Sequence, residues 1–288
     1  MIDCRYDETS KIRTLVSWSI VAFAFFHNHT GFAANNLIST NEIFLPSSPH
    51  ASAFVVQSEQ AGKSRKPAII FLHSATSHKD SFLEEAKNLA KLGAISILPE
   101  APYGRFEWKV PRGIQNPDKE LEMWKLTCAE LSLWVDLLLS QYQVNPDRVI
   151  FIGRNLGGGV GGFWMTKENR IYAALLTGAI PDLSNFWASS PHPVAVKARD
   201  GANKAQLDRF RSILMPTTDL TTTLSVTKAK MLFLQFGKQD DWLTKKAVEA
   251  LNNAAKNPKK LEWLNDDHDM NSIESKKSRF NWVKSLIK

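Results

Sequence analysis

Cysteine is nearly absent. The 288 residues hold two, Cys4 and Cys128, so no disulfide framework stands in for a core. No internal repeat or low-complexity block is visible, which excludes a collagen-like array. No apolar run approaches the roughly 20 residues that a membrane span needs. No dense Lys/Arg block stands beside interleaved aromatics, although the net charge is +7 and the pI about 9.3. That balance therefore describes a basic surface, and nucleic acid is not an expected partner. What remains is ordinary globular composition. With 43% hydrophobic and 23% charged residues, the chain can bury a core and is not disordered.

The N-terminus carries Lys11 and Arg13, then an apolar run from Leu15 to Phe26, then small residues around Gly31-Phe32-Ala33-Ala34. A basic stretch, a short apolar stretch and a small-x-small site describe a secretory signal peptide. The same run also reads as an uncleaved anchor or a buried helix, and Asp3, Asp7 and Glu8 are unusual before a leader's basic stretch. Cleavage after Ala33 is preferred. It gives a leader over 1–33, a domain over 34–288 and a secreted or periplasmic location. It also removes Cys4. Cys128, among Leu126, Leu131 and Leu133, then reads as a buried, inert thiol.

Beyond Lys66 the pattern alternates. Short edge strands at Glu42–Leu45 and Ala53–Val56 come first. Continuous apolar strands follow at Ala68–Leu72, Ala94–Leu98, Arg148–Ile152, Ala173–Ile180 and Lys230–Phe236, with a short last one at Leu261–Leu264. Helical spacing fills Ser81–Leu92, Pro117–Tyr142, Thr244–Ala255 and Ser272–Ile287. Such alternation argues for an α/β fold with a mainly parallel twisted sheet flanked by helices. Residues 182–227 break the rhythm. They are rich in Pro, Ser and Thr, carry Phe186, Trp187, Phe210 and Met215, and read as a small cap-like insertion over the site.

Parallel sheets bind ligands beyond the carboxyl ends of their strands. Those ends carry His73-Ser74-Ala75-Thr76, Gly153-Arg154-Asn155-Leu156-Gly157, Gly237-Lys238-Gln239-Asp240-Asp241 and Asn265-Asp266-Asp267-His268-Asp269-Met270. From Pro67 onward this order resembles the α/β-hydrolase superfamily, in its dienelactone-hydrolase-like and serine esterase or peptidase-like branches. Gly153-x-Asn155-x-Gly157 is similar to the G-x-S-x-G nucleophile elbow. The resemblance implies Asp240 as triad acid and His268 as base. It implies the amides of Ala75 and Leu156 as oxyanion hole, and His73, Ser74 and Tyr103 at the substrate. Arg105 reads either as a contact for a carboxylate or as an exposed residue. Gly158 and Gly159 are expected to loosen the helix after the elbow. Asp241 otherwise reads as a cap of the helix at Thr244. Asp266, Asp267 and Asp269 read as raising the pKa of His268, as holding a cation or as a solvated loop. They lack EF-hand spacing, so no metal or cofactor is expected.

The departure from the family is Asn155, which stands where the resemblance expects the nucleophilic serine. A carboxamide is neither a useful nucleophile nor a proton donor to imidazole at neutral pH, so the acyl-enzyme route is closed. Substitutes are Ser74, a water activated by His268, or an aspartate formed by deamidation of Asn155, which the bulky Leu156 would slow. The expected function is an ester, thioester or peptide-like hydrolase with a degenerate elbow. The alternatives are an inactive relative holding a small-molecule ligand or protein partner, and a basic surface-binding scaffold. The leader carries its own test. N-terminal sequencing of secreted protein should begin near Ala34, and a start at Met1 contradicts cleavage.

Overall fold

The computed structural model describes residues 37–59, 64–105, 113–256 and 258–287. The leader, its cleavage site and Cys4 lie outside them. No helix among the described residues is long and apolar enough to cross a membrane.

The strands are β1 (Ile38–Leu45), β2 (Ser48–Ser58), β3 (Lys66–Leu72), β4 (Ile95–Pro99), β5 (Val144–Arg154), β6 (Ile171–Thr177), β7 (Met231–Gly237) and β8 (Lys259–Leu264). They form one sheet in the order β1-β2-β4-β3-β5-β6-β7-β8. The β1–β2 hairpin pairs antiparallel and joins β4 antiparallel at one edge. From β4 through β3 to β8 every pairing is parallel. The expected strands are all present. β5 begins four residues before the expected Arg148, and its register shifts against β3 between Lys66 and Ala68.

Burial on both faces explains the continuous apolar runs. On β3, Ile69 and Phe71 pack on one face of the sheet, while Ala68, Ile70 and Leu72 pack on the other. β5 divides in the same way, Ile150 and Ile152 against Val149 and Phe151. The first face is covered by α1 (Leu83–Ala90) and α9 (Ile273–Ile287). The second is covered by α2 (Pro117–Gln141), α3 (Leu156–Trp164) and α8 (Lys245–Ala254). Pro117 occupies the first turn of α2 behind an Asn116 cap, so the missing proline N–H costs nothing there. Trp124, Cys128, Leu131, Trp134, Val135 and Leu138 then form its buried stripe. Cys128 is buried, as its surroundings imply.

Residues 182–227, the expected cap-like insertion, are largely helical. They form α4 (Leu183–Ser189), α5 (Pro193–Arg199), α6 (Lys204–Thr218) and α7 (Leu220–Thr223). The residues that read as loop formers are the caps. Asp182 accepts from the Asn185 amide, His192 from Val194, and Asp219 from Thr221. Asn203 and Gln206 form a reciprocal capping box. Pro193 opens α5, and Arg199 ties α5 to α4 through the Trp187 and Ser190 carbonyls.

Arg279 on α9 links several elements. It is fully buried. Its guanidinium donates to Glu85 on α1 at 3.1 and 2.8 Å, to Gln235 on β7 at 3.1 Å and to the Met270 carbonyl at 2.8 Å. Removing one partner of a buried pair leaves the other charge stranded. Arg279→Met should therefore lower unfolding stability by about 3–5 kcal/mol in denaturant titration. A midpoint equal to the parent's would show that the network contributes nothing.

Candidate active site

At the end of β5 the chain turns into α3 within one residue. Asn155 occupies the apex with φ 51° and ψ −117°. Few non-glycine residues take positive φ, and asparagine tolerates it better than most. The turn is pinned on both sides: the Asn155 amide donates to the Thr177 carbonyl at 2.9 Å, and the Gly159 amide to the Asn155 carbonyl at 3.0 Å. A Cβ at Gly157 would lie 2.4 Å from the His73 carbonyl oxygen and 2.5 Å from that of Leu72. Only glycine permits that approach of helix to strand end. Gly158 and Gly159, expected to loosen the next turn, are instead buried in α3 and part of its contact with the sheet and Trp124.

Asp240 and His268, the expected acid and base, follow the ends of β7 and β8. One Asp240 oxygen accepts the amides of Trp242 and Leu243 at 2.9 and 3.1 Å. Its other oxygen lies 2.8 Å from Nδ1 of His268. Both side chains are buried, at 2% and 6% exposure. A proton on Nδ1 satisfies this bond, which leaves Nε2 as the lone-pair nitrogen. That Nε2 is buried and has no hydrogen-bond partner among the described residues. Trp242 stacks on the imidazole with centroids 4.8 Å apart and planes 6° from parallel, and Phe186 of α4 stacks on the far face of that column. Two close approaches hold the His268 loop in place. A Cβ at Gly237 would lie 2.3 Å from the Asp266 carbonyl oxygen, and one at Gly178 2.5 Å from that of His268.

Asn155, His268, Ala75 and Leu156 line one cavity of about 670 Å³, a volume suited to a small organic ligand. No bond from the Ala75 or Leu156 amide to a described acceptor exists, and Leu156 opens α3, where amides lack intrahelical acceptors. Both amides are thus open to a ligand's acceptor. Ile114, Ile180, Leu183, Trp187, Val194 and Trp242 supply apolar wall. Of the aromatic and apolar residues noted in 182–227, Trp187 faces this cavity, Phe186 stacks behind it, Phe210 is buried and Met215 is exposed.

Three expected substrate residues are not on the wall. His73 is buried, with Nδ1 2.8 Å from the Ser74 carbonyl and Nε2 3.1 Å from the Ala101 amide nitrogen and 3.3 Å from Glu100. Tyr103 donates to the His73 carbonyl at 2.6 Å. Ser74 is buried, its hydroxyl 3.0 Å from that of Ser77 and 3.3 Å from that of Thr76. It is therefore no substitute nucleophile. These side chains brace the loop after β3 from behind, while Ala75 and Thr76 line the cavity. Glu100 belongs to the same brace. Burial pushes its carboxyl up, but bonds from His73, the Lys79 amide and His78 outweigh burial and hold it at about 2.

The remaining acidic and basic positions also resolve. Arg105 meets a carboxylate inside the protein, donating to both oxygens of Glu130 at 2.7 and 2.8 Å. Asp241 caps no helix, since the Thr244 hydroxyl accepts the Ala247 amide instead. Asp266 accepts from Ser275, Ser272 and Asp267 and is a turn-forming residue. Burial raises its pKa, and those donors more than reverse the shift. Trp242 is the site residue that the sequence did not disclose. Its place two residues after Asp240 follows no periodicity. Among the described residues no group of acidic, histidine and cysteine side chains is arranged to hold a metal.

No protein-family model matches the chain. No curated protein matches it either. Solved structures do. A putative dienelactone hydrolase from Klebsiella pneumoniae is 14% identical over 88% of this chain and 99% of its own, with a TM-score of 0.65. A 2,6-dihydroxy-pseudo-oxynicotine hydrolase is 18% identical over 88% of this chain and 68% of its own, at 0.64. An acetyl xylan esterase from a Paenibacillus species is 15% identical over 86% and 88%, at 0.62. The chain has the α/β-hydrolase fold. Its structural neighbours include dienelactone-hydrolase-like and esterase proteins.

The elbow geometry makes a strict prediction. Gly157→Ala must push α3 off the β3 end and should cost at least about 1–3 kcal/mol, the range for overpacking a tight site. Denaturant unfolding measures it, and an unchanged midpoint would contradict the close approach.

Proposed function

We propose that this protein holds a small ester, thioester or peptide-like carbonyl compound in a hydrolase pocket in which no acyl-enzyme forms. One observation carries the reading. Asn155 occupies the apex of an intact elbow, and it shares a cavity with a His268 whose Nε2 lacks a protein partner and whose Nδ1 is held by Asp240.

In this reading Asn155 replaces the serine of the hydrolase resemblance. A ligand carbonyl oxygen accepts from the Ala75 and Leu156 amides, which line the cavity. His268 Nε2 accepts from a ligand N–H, O–H or water. A serine would pass its proton to that nitrogen and attack. The Asn155 carboxamide holds its proton too tightly for imidazole to remove, and its nitrogen is a poor nucleophile. Losing the nucleophile alone removes turnover on the order of a millionfold, which leaves the 10³–10⁴-fold over water that comes from oxyanion hole and binding. The leader-like N-terminus supports the proposal that this binding takes place outside the cytoplasm.

A second reading rests on the same unpartnered nitrogen. Water bridging Nε2 and Asn155 could attack the bound carbonyl directly, with His268 as general base. The two readings part on one experiment with short p-nitrophenyl esters and a fluorophosphonate probe. Native protein should neither label nor turn over, and Asn155→Ser should label and hydrolyse at least about 10³-fold faster. Native turnover that vanishes in His268→Ala would overturn the first reading and establish the water route.

A further inference from the structure

The elbow backbone has a consequence for asparagine that it does not have for serine. Asn155 holds φ 51° and ψ −117°. Around an L-configured tetrahedral Cα, Cβ stands a third of a turn from the residue's own nitrogen. A ψ of −117° therefore carries the Leu156 nitrogen round until it eclipses the Asn155 Cβ. With a serine at the apex, the next amide would lie beside the hydroxyl. With asparagine, the next amide nitrogen lies beside the residue's own carboxamide. Leu156 N with the Asn155 carbonyl carbon, Cα, Cβ and Cγ are the ring atoms of a succinimide, and rotation about Cα–Cβ is what remains to close it.

The fold leaves that rotation free and fixes the backbone. No hydrogen bond among the described residues holds the Asn155 side chain, which does not cap α3. It is half-buried and lines the cavity. The backbone bonds of Asn155, to the Thr177 carbonyl and from the Gly159 amide, use groups that ring closure leaves intact. Leu156 opens α3, where an amide lacks an intrahelical acceptor and the positive end of the helix favours negative charge on the attacking nitrogen. In a flexible chain a bulky residue after asparagine makes the closing arrangement rare. Here the contact of Gly157 with the Leu72 and His73 carbonyls holds the arrangement in place.

We propose that Asn155 is a self-modification site, at which the protein converts its apex residue to aspartate. The Leu156 nitrogen gives its proton to a solvent base and bonds to Cγ. The bond from Cγ to the amide nitrogen breaks, and ammonia leaves with a proton from water. A second water adds at Cγ and opens the ring, and the Leu156 nitrogen regains its proton. The net change is asparagine plus water to aspartate plus ammonia. Opening at the backbone carbonyl instead would insert an extra CH₂ into a turn pinned at both ends, so the fold favours ordinary aspartate. The product sets a carboxylate at a helix N-terminus, in the cavity that His268 lines. This conversion needs no ligand and is independent of the carbonyl-pocket reading.

Freshly purified protein is incubated at mildly alkaline pH in water enriched in heavy oxygen, folded or unfolded in guanidinium, and then digested with trypsin in ordinary water. Mass spectrometry reads the peptide 155–167, and incorporated heavy oxygen shows that the acid formed in the intact chain. Folded protein should gain labelled acid at Asn155 at least about tenfold faster than unfolded protein, because the ring geometry is already set. Asn271, followed by the small Ser272, shows that the chemistry runs in the unfolded arm. Hydroxylamine present during the folded incubation should cleave the chain between Asn155 and Leu156, which requires the ring. Asn155→Gln, checked for its fold by circular dichroism, should show neither change. An equal or faster rate in the unfolded chain overturns the proposal. So does an unchanged Asn155 in folded protein over the time in which unfolded Asn271 converts. Labelled acid without hydroxylamine cleavage overturns the ring and leaves direct attack by water. Each of these results leaves the carbonyl-pocket reading standing.

Discussion

Everything about the site depends on how close α3 comes to the ends of β3 and β5. Gly157 lies against the Leu72 and His73 carbonyls with no room for a methyl group. That approach forces the turn between strand and helix into a single residue, and the residue in the turn must take positive φ. The same contact brings Leu156, the first residue of α3, to the cavity that Ala75 lines from beyond the end of β3. The meeting of Ala75 and Leu156 on one cavity wall is thus a by-product of helix-on-sheet packing. Loosening the packing would lose the turn, the apex side chain and the amide pair together.

Asp240 and His268 obey a second closeness constraint on the far side of the apex. Gly237 and Gly178 admit the backbone of the His268 loop against β7 and the end of β6. Arg279 fastens that loop at the Met270 carbonyl, where Met270 itself holds φ 50°. Asp240 then has one oxygen committed to two backbone amides and one to the imidazole. A carboxylate fixed at both oxygens cannot rotate away, so it fixes the tautomer of His268 as well as its place. Trp242, whose amide Asp240 holds, closes the circle by stacking on that imidazole. The aromatic column continues to Phe186, so α4, between β6 and β7, bears on His268 through stacked rings.

This division explains what the sequence could and could not disclose. Apolar strands buried on both faces announce themselves, and the residues just beyond them are where ligands meet such sheets. Asn155, Asp240 and His268 were legible for that reason. Side-chain direction past a strand end is set by a turn, and turns of Ser, Ala and Thr carry no period. His73, Ser74 and Tyr103 therefore read as ligand contacts although they brace the loop from behind. In residues 182–227 the polar residues that suggest a loop are helix caps, a distinction that needs the helices to be seen first.

The apex residue shows how far chemistry and fold can part. The turn requires positive φ, and asparagine is among the side chains that accept it most readily. Its amide and carbonyl bonds to Thr177 and Gly159 are made by the backbone and do not depend on the side chain. Nothing in the packing of β5, α3 or the His268 loop demands a hydroxyl there. Exchange between serine and asparagine is therefore nearly invisible to folding while it decides whether an acyl-enzyme can exist. An intact Asp240–His268 pair is then no proof of turnover, because Asp240, Trp242 and the His268 loop hold one another in place through bonds and stacking that also serve the fold. What the pair does retain is a buried nitrogen without a protein partner, and a group of that kind is costly unless something enters the cavity to meet it. What the packing fixes is thus an open hydrogen-bonding position on the cavity wall, with or without a reaction to follow it.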